Sequence, residues 1–399
     1  MLNIDRQRII NEISTRLFEK SKKMYYPFID EDLGTIIFFT HLYRVTNEEV
    51  NKNKAINLLQ EFIKEFEKQE LAYSFIHGFE GIFWAINYFY KSNIINDQSL
   101  TDDIEKYLIE SIHYDLTNRK YNFIHGCIGK SQIFFLSKKY KDQKDSIINE
   151  IINILYYKRT YYENYITWDD YLMKKSIDIN YHLDILNYFI KLKEINFQNK
   201  YIDSILDELL KVAIDYKIMF KEVSIKKHKT FKPKQNINNL SNSFGYLRVA
   251  YSLLYANNVI GNGRDNLFLI AKEMVLDFCQ IDIKESGIIY FEKESFYDIG
   301  FSHGIGAIVF LLKKVNNYLK LEIVKEKIQY WENQLLINTQ TVLNTNETIL
   351  MPESIWQNET KNYPYDKYSL FDGILGIGLI LSSSDFDDYL WAEALGFYQ

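Results

Sequence analysis

Proline and cysteine are scarce in this chain of 399 residues. No proline occurs between Pro27 and Pro233, although all-β folds need frequent turns that proline often supplies. So long a proline-free stretch favours helices, because proline disrupts a helix interior. The two cysteines, Cys127 and Cys279, cannot make a disulfide framework, which favours a reducing compartment.

The chain also lacks a basic excess and a long apolar run. Lys and Arg number 47 against 53 Asp and Glu, so the formal charge of −6 gives no reason to expect nucleic acid. Asp5, Arg6 and Arg8 interrupt the N-terminus, which argues against a signal peptide. No stretch reaches the ~18–20 apolar residues of a membrane span. These features predict a cytoplasmic protein and leave peripheral membrane association open.

Hydrophobic periodicity divides the chain into helix pairs. The first helix of each pair is amphipathic, and the clearest apolar stripe contains Ile202, Ile205, Leu206, Leu209 and Leu210. The second helix is apolar all round and must be buried all round. Seven such helices need a shared centre, with the seven amphipathic helices packed outside them. The pattern predicts one all-α domain over residues 1–399, an (α/α) toroid with two concentric rings.

Glycine residues stand at the start of most of the apolar helices. The sequence reads FIHGFEG around Gly78, FIHGCIG around Gly126, FSHGIG around Gly304 and FDGILGIG around Gly373. Glycine at a helix start allows close backbone packing. It also leaves first-turn N–H groups uncovered, which suits a polar or anionic ligand. Both interpretations stay open at this point.

These motifs are similar to those of the lanthionine synthetase C-like family, the lantibiotic cyclases. The H-G-x-x-G series, the S-H-G at 302–304 and the C-terminal SLFDGILGIGLIL carry the resemblance, which extends from about residue 30 to the end. It implies an α-toroid that accepts a precursor peptide with dehydrated Ser and Thr. It also implies a zinc ion, held by two Cys and one His, that activates a peptide thiol for thioether closure.

Several positions depart from the family pattern. Ser243 and Ser302 stand where the resemblance implies the two cysteine ligands, and only His303 remains of that set. A serine hydroxyl is a poor zinc ligand beside a thiolate. We therefore predict no metal and no other cofactor. The predicted central pocket contains Asn122, Asn239, Ser243, Phe244 and Ser302, with His182 and His303 as the catalytic candidates.

Three functions follow as alternatives. The first is a cyclase-like protein without zinc chemistry that binds a ribosomally made precursor peptide or a dehydratase partner. The second is an active cyclase with a zinc-free or rearranged site, in which His182 or His303 acts as general acid or base. The third is an unrelated toroid enzyme, a glycosidase or terpene cyclase, which needs acids such as Glu80 and Asp372 facing a cavity.

Two segments outside the repeats stand out. Seven lysines lie between Lys217 and Lys234, in a segment that we interpret as a solvated loop or as a docking surface for an acidic partner. The insertion from Tyr156 to Ile179 is rich in tyrosine.

Overall fold

The computed structural model describes residues 5–21, 28–66, 75–76, 78–96, 105–136, 141–162, 164–169, 178–230, 237–261, 265–345, 366–383 and 389–397. For 218–230 and 237–244 this description covers the backbone. Within these ranges the chain forms fifteen α-helices, two short β-hairpins and one 3-10 helix. The predominance of helix agrees with the scarcity of proline.

The predicted alternation of two kinds of helix is present. The amphipathic helices are α1 (Arg6–Ser21), α3 (Glu49–Phe66), α5 (Glu105–Thr117), α8 (Lys141–Lys158), α10 (Ile202–Thr230), α12 (Asp265–Phe278) and α14 (Glu322–Asn344). The apolar helices are α2 (Asp32–Thr46), α4 (Phe79–Lys91), α6 (Cys127–Ser131) with α7 (Ile133–Leu136), α9 (Ile179–Glu194), α11 (Ile237–Ile260), α13 (Ile305–Leu319) and α15 (Ile374–Ser382). Seven positions of each kind therefore alternate along the chain.

Burial follows the periodicity of the sequence. The α10 stripe is at most 3% exposed at each of its members, Ile202, Ile205, Leu206, Leu209 and Leu210. Helix α13 is buried without interruption from Ile305 to Val315. This difference between a one-sided and an all-round apolar helix is what the hydrophobic pattern predicts.

Two elements differ from the sequence interpretation. The third apolar helix is divided, because Gln132 bonds to the Gly129 carbonyl in a tighter, 3-10-type turn between α6 and α7. The lysine-rich segment was predicted to be a connecting loop, but α10 continues through it to Thr230. At the start of that segment, Lys217 pairs with Glu273 of α12.

Three of the glycine-started helices, α6, α13 and α15, donate a backbone hydrogen bond to the turn before them. The residues that follow Gly126, Gly304 and Gly373 donate their N–H groups to carbonyls seven positions earlier, at 2.8–3.0 Å. These three N–H groups therefore already have backbone acceptors. The structure supports the packing interpretation of the glycines and gives no sign of an anion site at these three positions.

The second glycine of the motif permits close approach of a carbonyl to the helix. A Cβ on Gly129 would lie 1.8 Å from the Phe123 carbonyl oxygen, and one on Gly376 would lie 2.1 Å from that of Leu370. Real side chains do not tolerate such distances, so only glycine fits. The H-G-x-x-G spacing thus allows a compact turn to pack against the first turn of the helix that follows it.

The contacts of the chain group into two compact units. The first contains residues 1–23, 217–254 and 266–387. In this unit α1 packs against α14 and α15. Arg6 of α1 donates from Nε to the Leu381 carbonyl at 2.7 Å and from Nη2 to the Ser383 carbonyl at 3.0 Å. These bonds satisfy carbonyls at the C-terminus of α15, where a cation is also favoured by the helix dipole.

The first unit also contains a small hairpin, β3 (Tyr290–Phe291) with β4 (Phe296–Tyr297). The hairpin precedes the turn that begins α13, and Tyr297 donates its backbone N–H to Asn338 Oδ1 of α14 at 2.7 Å. This bond holds the segment that leads into the S-H-G turn against α14.

The second unit contains residues 24–216, 255–265 and 388–399. Its hairpin pairs β1 (Arg159–Tyr162) with β2 (Tyr165–Trp168) in antiparallel register, Arg159 opposite Trp168 and Tyr162 opposite Tyr165. β2 is largely buried, whereas β1 is mostly exposed. The 3-10 helix, Tyr389–Leu395, packs against α4. Among the described residues of the whole chain, no helix is both long and apolar enough to cross a membrane.

Candidate functional site

The turns that begin α13 and α15 are joined by two hydrogen bonds. Ser302 Oγ donates to Asp372 Oδ1 at 2.6 Å, and the Ser302 backbone N–H donates to the Phe371 carbonyl at 2.9 Å. The partners are seventy positions apart in the chain. Ser302, predicted to line the pocket, therefore ties the start of one apolar helix to the start of the next.

His303 is an exposed residue beside this pair. The surrounding protein displaces water from around its imidazole and lowers its pKa below 6.5, while the Asp372 carboxylate opposes this shift. The side chain is accessible, yet its environment favours the neutral ring. A neutral, accessible imidazole can accept a proton near neutral pH, which is the property a general base needs.

His182 occupies a different environment. It is 2% exposed, and both ring nitrogens lie beside backbone carbonyl oxygens: Nδ1 is 2.6 Å from the Asp178 oxygen and Nε2 is 2.8 Å from the Ile166 oxygen. A neutral imidazole has one N–H and can donate to only one of these two acceptors, whereas the charged ring can donate to both. His182 could exchange a proton with a substrate only after one of these contacts opens.

The loss of glycine before His182 has a local explanation. Asp178 caps α9 with its side chain, whose Oδ1 accepts from the backbone N–H of Asn180 at 2.8 Å and of Tyr181 at 3.2 Å. A carboxylate at this position satisfies first-turn donors and complements the helix dipole. This helix start therefore needs no glycine turn.

Asn122 shapes the turn before α6. Its Oδ1 accepts from the His125 backbone N–H at 2.7 Å, in a short local turn that asparagine commonly forms. The structure thus gives Asn122 a turn-forming contact. Its role in a pocket stays a prediction.

Asn239, Ser243 and Phe244 all lie in α11, where the described structure covers their backbone. From Gly245 to Ala256 this helix is buried. Whether their side chains face Ser302 and His303 stays a prediction from the sequence.

A buried charge cluster was missed by the sequence analysis. Lys130 of α6 is fully buried, and its Nζ lies 2.6 Å from Asp115 Oδ2 and 3.5 Å from Glu80 Oε1. Nζ also donates to Ser111 Oγ at 2.6 Å, and Ser111 in turn donates to Glu80. Glu80 was interpreted as an acid that could face a cavity, but it is 0% exposed. The cluster joins α4, α5 and α6.

The four side chains of this cluster carry one more acid than base. Burial raises the pKa of Asp115 to about 6; Lys130 opposes this shift, and the nearby Glu80 carboxylate adds to it. A signal existed in the sequence, since Lys130 interrupts an otherwise apolar helix start. Its partners could not be read from spacing, because they come from two other helices.

The raised pKa of Asp115 predicts a pH-dependent stability. In the unfolded chain this carboxyl titrates near 3.8, and in the folded protein near 6. The folded state therefore holds its proton more tightly, and its stabilisation is lost as pH rises from about 4 through 6. Over this pH range we expect the free energy of unfolding of Asp115→Asn to fall by up to about 3 kcal/mol less than that of the wild type. Urea unfolding of both proteins between pH 4 and 7 measures it, and parallel curves would contradict the assignment.

Comparison with known proteins finds one similar family and a similar solved structure. The profile described as "Lanthionine synthetase C-like protein" matches residues 32–183. Among solved structures, one described as "Nisin cyclase" superposes with a TM-score of 0.63 and 15% sequence identity, over 98% of this chain and 97% of the other. A comparison with curated protein sequences gave no significant match.

Residues 32–183 are thus similar to the lanthionine synthetase C-like family, and the chain shares the fold of the nisin cyclase structure. The structural match also confirms the predicted all-α fold class, the α/α toroid. At this identity the match establishes the fold and leaves the reaction to be argued from the site. The prediction of a single domain stays a prediction.

The zinc centre that the family resemblance implies does not fit the donors described in this protein. Ser302 is a neutral hydroxyl that directs its proton to Asp372, so it cannot take the part of a thiolate. Among the described residues, no group of three or more His, Cys, Asp and Glu side chains is placed to hold a metal ion. The predicted absence of zinc stays a prediction, because the side chain of Ser243 lies outside this description.

The two cysteines do not replace the missing thiolates. Cys127 is fully buried at the first position of α6, and Cys279 follows the last residue of α12. Burial raises the pKa of Cys279 to about 11, against the opposing effect of Lys327. Its thiol is therefore protonated near neutral pH and is a poor metal ligand.

Proposed function

We propose that this protein acts in the maturation of a ribosomally made, lantibiotic-type precursor peptide, which it binds without zinc-dependent cyclase chemistry. The observation that carries the proposal is the Ser302–Asp372 hydrogen bond, because it fills a predicted ligand position with an interaction between helix starts. The family resemblance supports the peptide substrate class. A dehydratase partner and a cytoplasmic location belong to the same proposal.

An active, zinc-free cyclase is the second candidate, and the exposure and lowered pKa of His303 favour it. In that reaction the peptide sulfur bonds to the β-carbon of a dehydroamino acid, and the C=C double bond becomes a single bond. The thiol proton leaves sulfur, and a proton is delivered to the α-carbon, so no other reagent is consumed. A neutral His303 could accept the first proton.

Thiol trapping distinguishes the two candidates. Ring closure does not change the peptide mass, so the probe is a synthetic peptide with one dehydroalanine and one cysteine, incubated with the protein and then alkylated. Loss of alkylation, read by mass spectrometry, counts closed rings. For a binding protein we expect the same ring count as in a buffer control, together with retention of the peptide on the immobilised protein.

The second candidate predicts a different result. An excess of closed rings over buffer that disappears in His303→Ala would identify an active cyclase. Failure to retain any dehydrated or unmodified peptide would contradict the proposal of peptide binding. The matched control is His113→Ala, at an exposed histidine on α5 that pairs with Glu150.

A further inference from the structure

The hairpin of the second unit presents an unusual concentration of exposed tyrosine. Tyr157 at the end of α8 is 68% exposed, and Tyr161 and Tyr162 of β1 are 59% and 41% exposed. Single exposed aromatic residues are common, whereas contiguous groups mark interaction sites. We name the tyrosine surface by its members: Tyr156, Tyr157, Arg159, Tyr161, Tyr162, Tyr165 and Tyr201.

Five members of the tyrosine surface touch one another. The rings of Tyr156 and Tyr201 stack with centroids 3.8 Å apart, and the Tyr157 and Tyr201 hydroxyls share a hydrogen bond. The Arg159 guanidinium lies over the Tyr156 ring, 3.7 Å from its centroid. Arg159 Nε also donates to the Tyr161 hydroxyl at 3.2 Å. Tyr156, Tyr157, Tyr161 and Tyr201 thus form one continuous group with Arg159.

These contacts hold the surface in one arrangement before any ligand arrives. Arg159 Nη1 donates to the Tyr156 carbonyl at 2.6 Å, which fixes the guanidinium where helix α8 passes into β1. Tyrosine has few rotatable bonds, so it supplies contact area at a small entropic cost, and stacking lowers that cost further. A rigid aromatic surface of this kind is suited to binding a flexible peptide.

The surface is cationic although the chain as a whole has a formal charge of −6. The Lys200 ammonium lies 4.8 Å from the Tyr201 ring, and that of Lys211 lies 5.8 Å from the Tyr165 ring. Lys158 is exposed beside Tyr157. Arg159 is paired with a carboxylate, Glu208, at 3.7 Å. Lysine ammonium groups therefore lie beside the exposed rings.

We propose that the tyrosine surface docks an extended, acidic segment of the precursor peptide, an inference that rests on the proposed function. Aromatic rings would contact apolar side chains of the segment, and the lysines would pair with its carboxylates. An acidic segment is repelled by the overall charge of the protein and would be attracted to this surface. Through β2, the surface also adjoins His182, whose Nε2 is held by the Ile166 carbonyl.

Fluorescence anisotropy tests the inference with a labelled peptide composed of Asp, Glu, Leu and Phe, and with a second peptide in which Lys replaces every acid. We expect the acidic probe to bind more tightly than the lysine probe. Its affinity should fall as salt is added. The double variant Tyr161→Ser, Tyr162→Ser should lose about tenfold in affinity for the acidic probe.

The matched control is Tyr107→Ser, Tyr114→Ser in α5, whose rings are 49% and 52% exposed. This variant should bind like the wild type, and thermal melting should show that both variants are folded. Equal loss in both variants, no loss in the hairpin variant, or equal affinity for both probes would overturn the docking inference and leave the thiol-trapping result unaffected. Tyrosine-dependent binding of the probe, with no retention of a dehydrated peptide, would uphold the surface and count against the proposed function.

Discussion

Replacing Lys130 by methionine is expected to lower the free energy of unfolding by about 3–5 kcal/mol. The replacement keeps an unbranched side chain of similar length but removes the one ammonium that faces Glu80 and Asp115. Two carboxylates would then share a buried site at most 1% exposed, with no counter-charge from α6. Urea unfolding at pH 7 measures the loss.

Two variants make this prediction specific to the cluster. Lys64→Met removes an exposed ion pair with Glu61 and should cost less than about 1 kcal/mol. Adding Glu80→Gln and Asp115→Asn to Lys130→Met should recover part of the loss, because neutral amides are less costly to bury than carboxylates. A loss below about 1 kcal/mol in Lys130→Met would show that the ammonium does not stabilise these helices.

Restoring cysteine at positions 243 and 302 is expected to create a zinc site. With His303, the two thiolates would provide the ligand set that the family resemblance implies, and three protein ligands suffice for tight binding. Elemental analysis after dialysis should find zinc in the Ser243→Cys, Ser302→Cys double variant. Each single cysteine variant is the matched control and should hold much less, because one thiolate and one imidazole form an incomplete site.

The double variant also tests the alignment. Because Ser302→Cys removes the hydrogen bond to Asp372, a melting curve is needed to show that the variant is folded. A folded double variant that binds no zinc would show that position 243 does not lie beside position 302. The assignment of the lost ligand pair would then be wrong.

The order of helices was predictable because it depends on local pattern. Apolar residues every three or four positions place α10 and its stripe, and glycine pairs mark the starts of α4, α6, α13 and α15. The same pattern predicted the toroid class, which the family resemblance also implies and the structural match confirms. Gly78 and Gly126 each stand directly before the first residue of a helix.

The pairs that join distant segments were not predictable from a single sequence. Lys130 meets Asp115 and Glu80 only after three helices pack, and Ser302 meets Asp372 across seventy positions. The same limit applies to His182: its motif suggested a catalytic residue, whereas its two carbonyl neighbours depend on where β2 lies. Glycine itself was ambiguous until the carbonyls facing Gly129 and Gly376 were placed.

Zinc content of the native chain tests the central claim most directly. The claim is that the family's thiolate centre is replaced here by serine hydroxyls, with Ser302 bound to Asp372 and His303 left as the one remaining ligand. Native protein loaded with zinc and dialysed against metal-free buffer should retain far less than one equivalent per chain by elemental analysis. Retention of one equivalent that is lost in His303→Ala would contradict the account.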